Sequence, residues 1–117
     1  MGLITVNKNK TVSVVIRSFN EEKWIRHCIE AVNNQNIKNI EIILVDNLST
    51  DRSVEIAKKL KVDKILTIDE YTPGKSLNLG IKNSSSDLIA ILSAHCIPTD
   101  ADWLSNMINN IKKDKSI

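Results

Sequence analysis

Three short polar stretches, each at the end of an apolar run, carry the side chains best suited to chemistry: Arg17-Ser18-Phe19-Asn20, Asp46-Asn47 and Ser93-Ala94-His95. Asp46 and Asn47 can accept hydrogen bonds from a base N–H or a ribose hydroxyl, and Phe19 can pack against a base. The same two residues serve equally well as turn formers and helix caps. His95 can ligate a transition metal such as Mn²⁺ but suits Mg²⁺ poorly. Lys75, at the start of a helical stretch, can meet a phosphate or simply remain solvated.

The elements that would position these residues follow from hydrophobic periodicity. Apolar runs predict strands over residues 12–16, 40–45, 62–68 and 88–92, the last read as buried on both faces. Helical spacing predicts helices over 21–34, 51–60 and 75–82 and another beginning near Trp103. Asn20 is the expected cap of the first helix, and Thr99 or Asp100 that of the last. The order β-α-β-α-β-α-β-α predicts an α/β fold with a mainly parallel sheet, helices on its faces and right-handed crossovers. All three polar stretches then lie along the carboxyl edge of the strands, where ligands bind in open α/β sheets.

Composition narrows the function classes. A chain of 117 residues suffices for one domain, and 42% hydrophobic with 26% charged residues is ordinary for a globular protein. A net charge of +2 makes no case for nucleic acid or an anionic membrane surface. Cys28 and Cys96 lack metal-site spacing and read as reduced thiols. Residues 1–10 read as a lead-in without a signal-peptide pattern, and no run is long enough to span a bilayer. No G-x-G-x-x-G follows the first strand, so a dinucleotide site is not expected. Pro73-Gly74-Lys75-Ser76 imitates the tail of a P-loop, but Asp69 stands at the required earlier glycine.

Three segments, VSVVIRSFNEEKWIRHCIEAVNNQ, IEIILVDNLSTDRSVEIAKKL and PGKSLNLGIKNSSSDLIAILSAHCIP, followed by DWL, resemble the N-terminal half of family 2 glycosyltransferases of the GT-A fold. VDNLSTD is the most specific piece. The resemblance implies a Rossmann-like three-layer α/β/α domain over residues 11–117. It implies an enzyme that transfers a sugar, with inversion, from a nucleotide-diphosphate sugar to an acceptor glycan or lipid-linked sugar, in bacterial polysaccharide or glycoconjugate synthesis. A cytoplasmic location follows, at the inner face of the membrane through regions outside this chain. Carried over by position, the nucleotide-sugar-binding residues are Arg17, Phe19, Glu21, Val45, Asp46, Asn47, Lys75, Asn78, Ser93, Ala94 and His95.

The family has Pro or Thr where this chain has Arg17, whose charge could face a diphosphate. At the end of the fourth strand the family has Asp-x-Asp, with a divalent metal (Mn or Mg) on the second carboxylate. Here the register gives Ser93-Ala94-His95, leaving His95 as the metal-ligand candidate. Asp100-Ala101-Asp102 spells that pattern but directly precedes a helix, where carboxylates are at home for electrostatic reasons alone. The resemblance places no catalytic base within the chain; it is expected beyond Ile117, in the acceptor half, so that residues 1–117 alone would transfer little sugar. Two other readings stand beside this one: a small doubly wound α/β binding module without catalysis, and a chain that forms homodimers through a bare edge or apolar face.

Overall fold

The computed structural model describes residues 10–70 and 72–115. Of the lead-in read at residues 1–10, residues 1–9 lie outside them. Four strands, β1 (Val12–Ser18), β2 (Ile40–Asp46), β3 (Lys64–Thr67) and β4 (Ile89–Ser93), alternate with four helices, α1 (Ile25–Asn33), α2 (Ser53–Lys59), α3 (Pro73–Asn83) and α4 (Trp103–Lys115). The sheet is parallel with strand order β3-β2-β1-β4.

Connectivity explains the layers. The chain steps from β1 to β2 to β3 in one direction, then crosses back to place β4 on the other side of β1. With right-handed crossovers, the reversal puts the β3–β4 helix on the opposite face. Accordingly Val12, Val14, Ile16, Ile42 and Leu44 pack with α1, α2 and α4 through Ile25, Ile29, Ala57, Leu104 and Ile108. Val15, Ile43 and Val45 pack on the other face with Leu79 of α3. The reversal also creates a switch point between β1 and β4, the crevice position at which such sheets bind ligands.

Three expectations are corrected. The opening turn of α1 is not helical: residues 22–24 form a turn, and Asn20 has φ 50° and caps nothing in α1. Its side chain is used by another loop, described below. Second, β4 is not buried on both faces. Ala90 is buried but Ile91 is 37% exposed, because β4 is an edge strand here and α3 lies over β1 and β2. The central strands are β1 and β2, each flanked on both sides. Third, the start of α4 is tied by a distant residue. Buried Gln35 accepts from Leu104 N (3.0 Å) and donates to the Asp100 carbonyl (2.7 Å), while Asp100 Oδ1 accepts from Asp102 N, ahead of the helix (2.8 Å). Among the described residues no helix is long and apolar enough to cross a membrane.

Candidate functional site

Register brings the polar stretches level. Ser18 pairs with Asp46 and Arg17 with Ser93, so β1, β2 and β4 end together and release Phe19, Asn47 and His95 onto one rim. Asn47 N donates to the Ser18 carbonyl (2.9 Å) and Ala94 N to the Arg17 carbonyl (2.9 Å), which locks the three ends at that level.

The β1–α1 and β2–α2 loops are laced together. Asn20 N donates to Ser49 Oγ (2.8 Å) and Asn20 Oδ1 accepts from Thr50 N (2.8 Å). Glu21 N donates to Ser53 Oγ (2.8 Å) and Glu22 N to Asp51 Oδ2 (3.0 Å). Asp51 Oδ1 in turn accepts from Ser53 N (2.9 Å) and Ser53 Oγ (2.5 Å). Burial pushes the Asp51 carboxyl up, but the donors from Ser53 and Glu22 more than offset this and hold it below the usual carboxylate range. Much of the VDNLSTD segment therefore shapes the rim. Asp46 is 2% exposed, and its oxygens accept from Ser49 N (2.8 Å) and Ser49 Oγ (2.6 Å).

Among the residues expected to bind a nucleotide sugar, Val45, Asp46 and Ala94 have buried side chains, whereas Phe19 is 54% exposed. Asn47, Arg17, Glu21 and Ser93 are half-buried. Lys75 and Asn78 lie on α3. With Ile68, Leu79 and Lys82 they line an open cleft of about 320 Å³ beside α3. Lys75 Nζ pairs there with Glu70 Oε2 (2.7 Å), and the Thr72 hydroxyl caps the helix by accepting from Lys75 N (3.1 Å). Sequence reading missed Leu48, which stands 55% exposed at φ 52° on the rim loop. The signal was an apolar side chain set within a run of turn formers.

At the β4 end, His95 Nδ1 lies 2.9 Å from Glu21 Oε1 and 3.2 Å from Ser93 Oγ. Glu21 thus engages Nδ1, and Nε2 lies 3.4 Å from Ser93 Oγ. A hydroxyl and one imidazole nitrogen make a poor donor set for an oxygen-seeking divalent cation. Among the described residues no group of three His, Cys, Asp or Glu side chains could hold a metal. Asp100 and Asp102 are elsewhere: Asp102 Oδ1 accepts from Asn36 Nδ2 (2.7 Å), at the C-terminal end of α1, the end away from the rim. Cys28 is not a nucleophile. Burial, then the nearby Cys96 and Glu21, push its thiol up to about 12.

Replacing Asn20 with alanine removes the acceptor for Thr50 N and unlaces the two loops. The expected cost is about 1 kcal/mol of stability, with faster amide exchange at Thr50 and Asp51. Hydrogen exchange read by NMR checks it, and unchanged protection at both amides would contradict the lacing.

A parallel sheet of order β3-β2-β1-β4 with a polar strand-end rim at its switch point defines a doubly wound α/β domain. Solved structures agree in fold. S. aureus TarS 1-349 in complex with UDP-GlcNAc superposes with TM-score 0.75 at 21% identity, covering 88% of this chain and 31% of that one. The mannosyltransferase PcManGT from Pyrobaculum calidifontis, in complex with GDP-Man and Mn²⁺, gives TM-score 0.75 at 17% identity, covering 90% of this chain and 34% of that one.

The model of Glycosyl transferase family 2 matches residues 13–117, and the chain belongs to that family. The dolichyl N-acetyl-α-D-glucosaminyl phosphate 3-β-D-2,3-diacetamido-2,3-dideoxy-β-D-glucuronosyltransferase of Methanococcus voltae is 35% identical over 112 residues, covering 89% of this chain and 35% of the relative. The chain thus spans about a third of the length of such relatives.

Proposed function

We propose that the chain is the donor-binding part of an inverting glycosyltransferase, and that its strand-end rim holds a nucleotide-diphosphate sugar. The carrying observation is the level ending of β1, β2 and β4, which brings Phe19, Asn47, Ser93 and His95 to one edge at the switch point. Phe19 packs against the base, the Asn47 amide reads its edge, and Ser93 meets the ribose. The TarS and PcManGT complexes support this reading, since those proteins carry nucleotide sugars on the same fold.

Inverting transfer needs a base to take the acceptor proton as its oxygen attacks the anomeric carbon from the side opposite the leaving diphosphate. Three carboxylates of the rim loops are engaged: Asp46 by Ser49, Asp51 by Ser53 and the Glu22 amide, and Glu21 by His95. We assign the base to the additional length of the curated relatives, of which this chain spans about a third. The proposed acceptor is a glycan or lipid-linked sugar, in keeping with the dolichyl-linked phosphosugar in the M. voltae enzyme's name.

The test is a thermal-shift panel of UDP-, GDP- and dTDP-sugars on the full-length protein. A ligand bound only by the folded form contributes about 2.7 kcal/mol at a hundredfold excess over Kd. One class of nucleotide sugar is expected to raise Tm by several degrees, and Asn47→Ala to diminish the rise. No shift with any member of the panel would end this reading.

A further inference from the structure

The PcManGT complex contains Mn²⁺ as well as GDP-Man, and the family resemblance implies a divalent cation at the end of β4. The residues of this chain do not fit one at the β4 end. There the rim offers the Ser93 hydroxyl and a His95 ring whose Nδ1 is taken by Glu21, 2.9 Å away. The neighbouring strand carries a cationic residue instead. Arg17, half-buried near the end of β1, is the register partner of Ser93, and the Arg17 carbonyl accepts from Ala94 N (2.9 Å), holding the two strand ends together.

We propose that this rim meets the charge of a nucleoside diphosphate with the Arg17 guanidinium and the Ser93 hydroxyl rather than through a divalent cation. The inference rests on the nucleotide-sugar reading above.

The physical argument is one of charge. Carboxylates facing a diphosphate repel it, and a metal ion between them turns that repulsion into a bridge. A hydroxyl creates no such repulsion. The acidic side chain nearest this point, Glu21, is already occupied by the His95 ring. A guanidinium remains charged at every pH a protein experiences, and its planar fork of donors matches two phosphate oxygens at once. The Arg17 backbone lies on a strand paired on both sides.

The test uses the full-length protein and isothermal titration with UDP, GDP, uridine and guanosine, in EDTA and in Mn²⁺. The nucleoside diphosphate that binds is expected to do so in EDTA within about twofold of its Kd in Mn²⁺. Arg17→Gln is expected to weaken that diphosphate by about tenfold or more while leaving the matching nucleoside unchanged. Arg17→Lys keeps the charge without the fork and should fall between. Because position 17 lies within β1, thermal melts of both variants establish folding, and the nucleoside arm reports an intact base pocket.

Binding that vanishes in EDTA and returns with Mn²⁺ would overturn this inference while leaving the nucleotide-sugar reading in place. So would a diphosphate affinity indifferent to both Arg17 variants. Absence of any UDP or GDP binding in either condition would overturn both readings together.

Discussion

Gly80→Val is expected to cost about 2–3 kcal/mol of folding stability, through one contact. On the face of the sheet that α3 covers, this helix packs against β1 and β2, with Gly80 set against Val15. A Cβ at Gly80 would stand 2.6 Å from Val15 Cγ2 and 2.9 Å from Val15 Cγ1, well inside van der Waals contact. Val15 has no room to yield. It is fully buried, its strand is held between β2 and β4, and a β-branched side chain has few rotamers to choose from. The helix must lift instead, opening the Val15–Ile43–Val45 cluster beneath it. Valine's better helix propensity returns well under 1 kcal/mol of that cost.

Urea unfolding of the variant measures the loss, and a double-mutant cycle with Val15→Ala assigns it. Trimming Val15 makes space for the new side chain, so the double variant should be more stable than the sum of the two single changes by about 1 kcal/mol or more. Strict additivity would show that the helix does not meet the sheet at this contact.

Glu41→Gln is expected to cost about 1–3 kcal/mol at neutral pH and to remove a pH dependence that the native protein shows in acid. Glu41 is 3% exposed at the opposite end of the sheet from the rim. Its Oε1 accepts from Ser13 Oγ (2.8 Å) and from Ser85 N (2.8 Å), and its Oε2 lies 3.3 Å from Lys64 Nζ. Lys64 also donates to the Asn83 carbonyl at the end of α3. One carboxylate thus joins β1, β2, β3 and the turn leading to β4. Burial pushes its pKa up, but the Ser85 amide, the Ser13 hydroxyl and the Lys64 charge more than compensate, and it is lowered from the ordinary 4.5.

The sign of the linkage follows. A carboxylate with a lower pKa in the folded state contributes stability that is fully present above the unfolded value. That contribution is lost as pH falls through the folded one. The native protein and the Glu41→Gln variant should differ most above about pH 5 and converge below it, as Glu41 takes up a proton. Urea midpoints from about pH 7 down to about pH 3 check this, and two parallel curves would show that the charge contributes nothing.

The alternation of strands and helices was readable from the sequence, because a period of two or of 3.6 is a local property of neighbouring side chains. The runs Val12–Ile16 and Ile40–Val45 lie within the two central strands, β1 and β2, and the segment from Trp103 forms α4. The family was likewise legible, since VDNLSTD and the residues around Asn20 are consecutive letters. Element boundaries were less so. Asn20 has the composition of a cap, yet its oxygen serves Thr50, 30 residues on. Asp46 has the composition of a ligand, yet Ser49 occupies it.

What only the tertiary structure decided is which distant groups meet. Strand order made β1 a central strand and β4 an edge, which is why Ile91 is exposed although its neighbours in sequence are apolar. Register set Arg17 beside Ser93, loop geometry brought Glu21 to His95, and the end of α1 supplied Gln35 to the start of α4. Periodicity is carried by covalent neighbours and survives in any environment. A pairing between residues tens of positions apart exists only once the sheet has closed and the loops have taken their one shared path, so no local pattern encodes it.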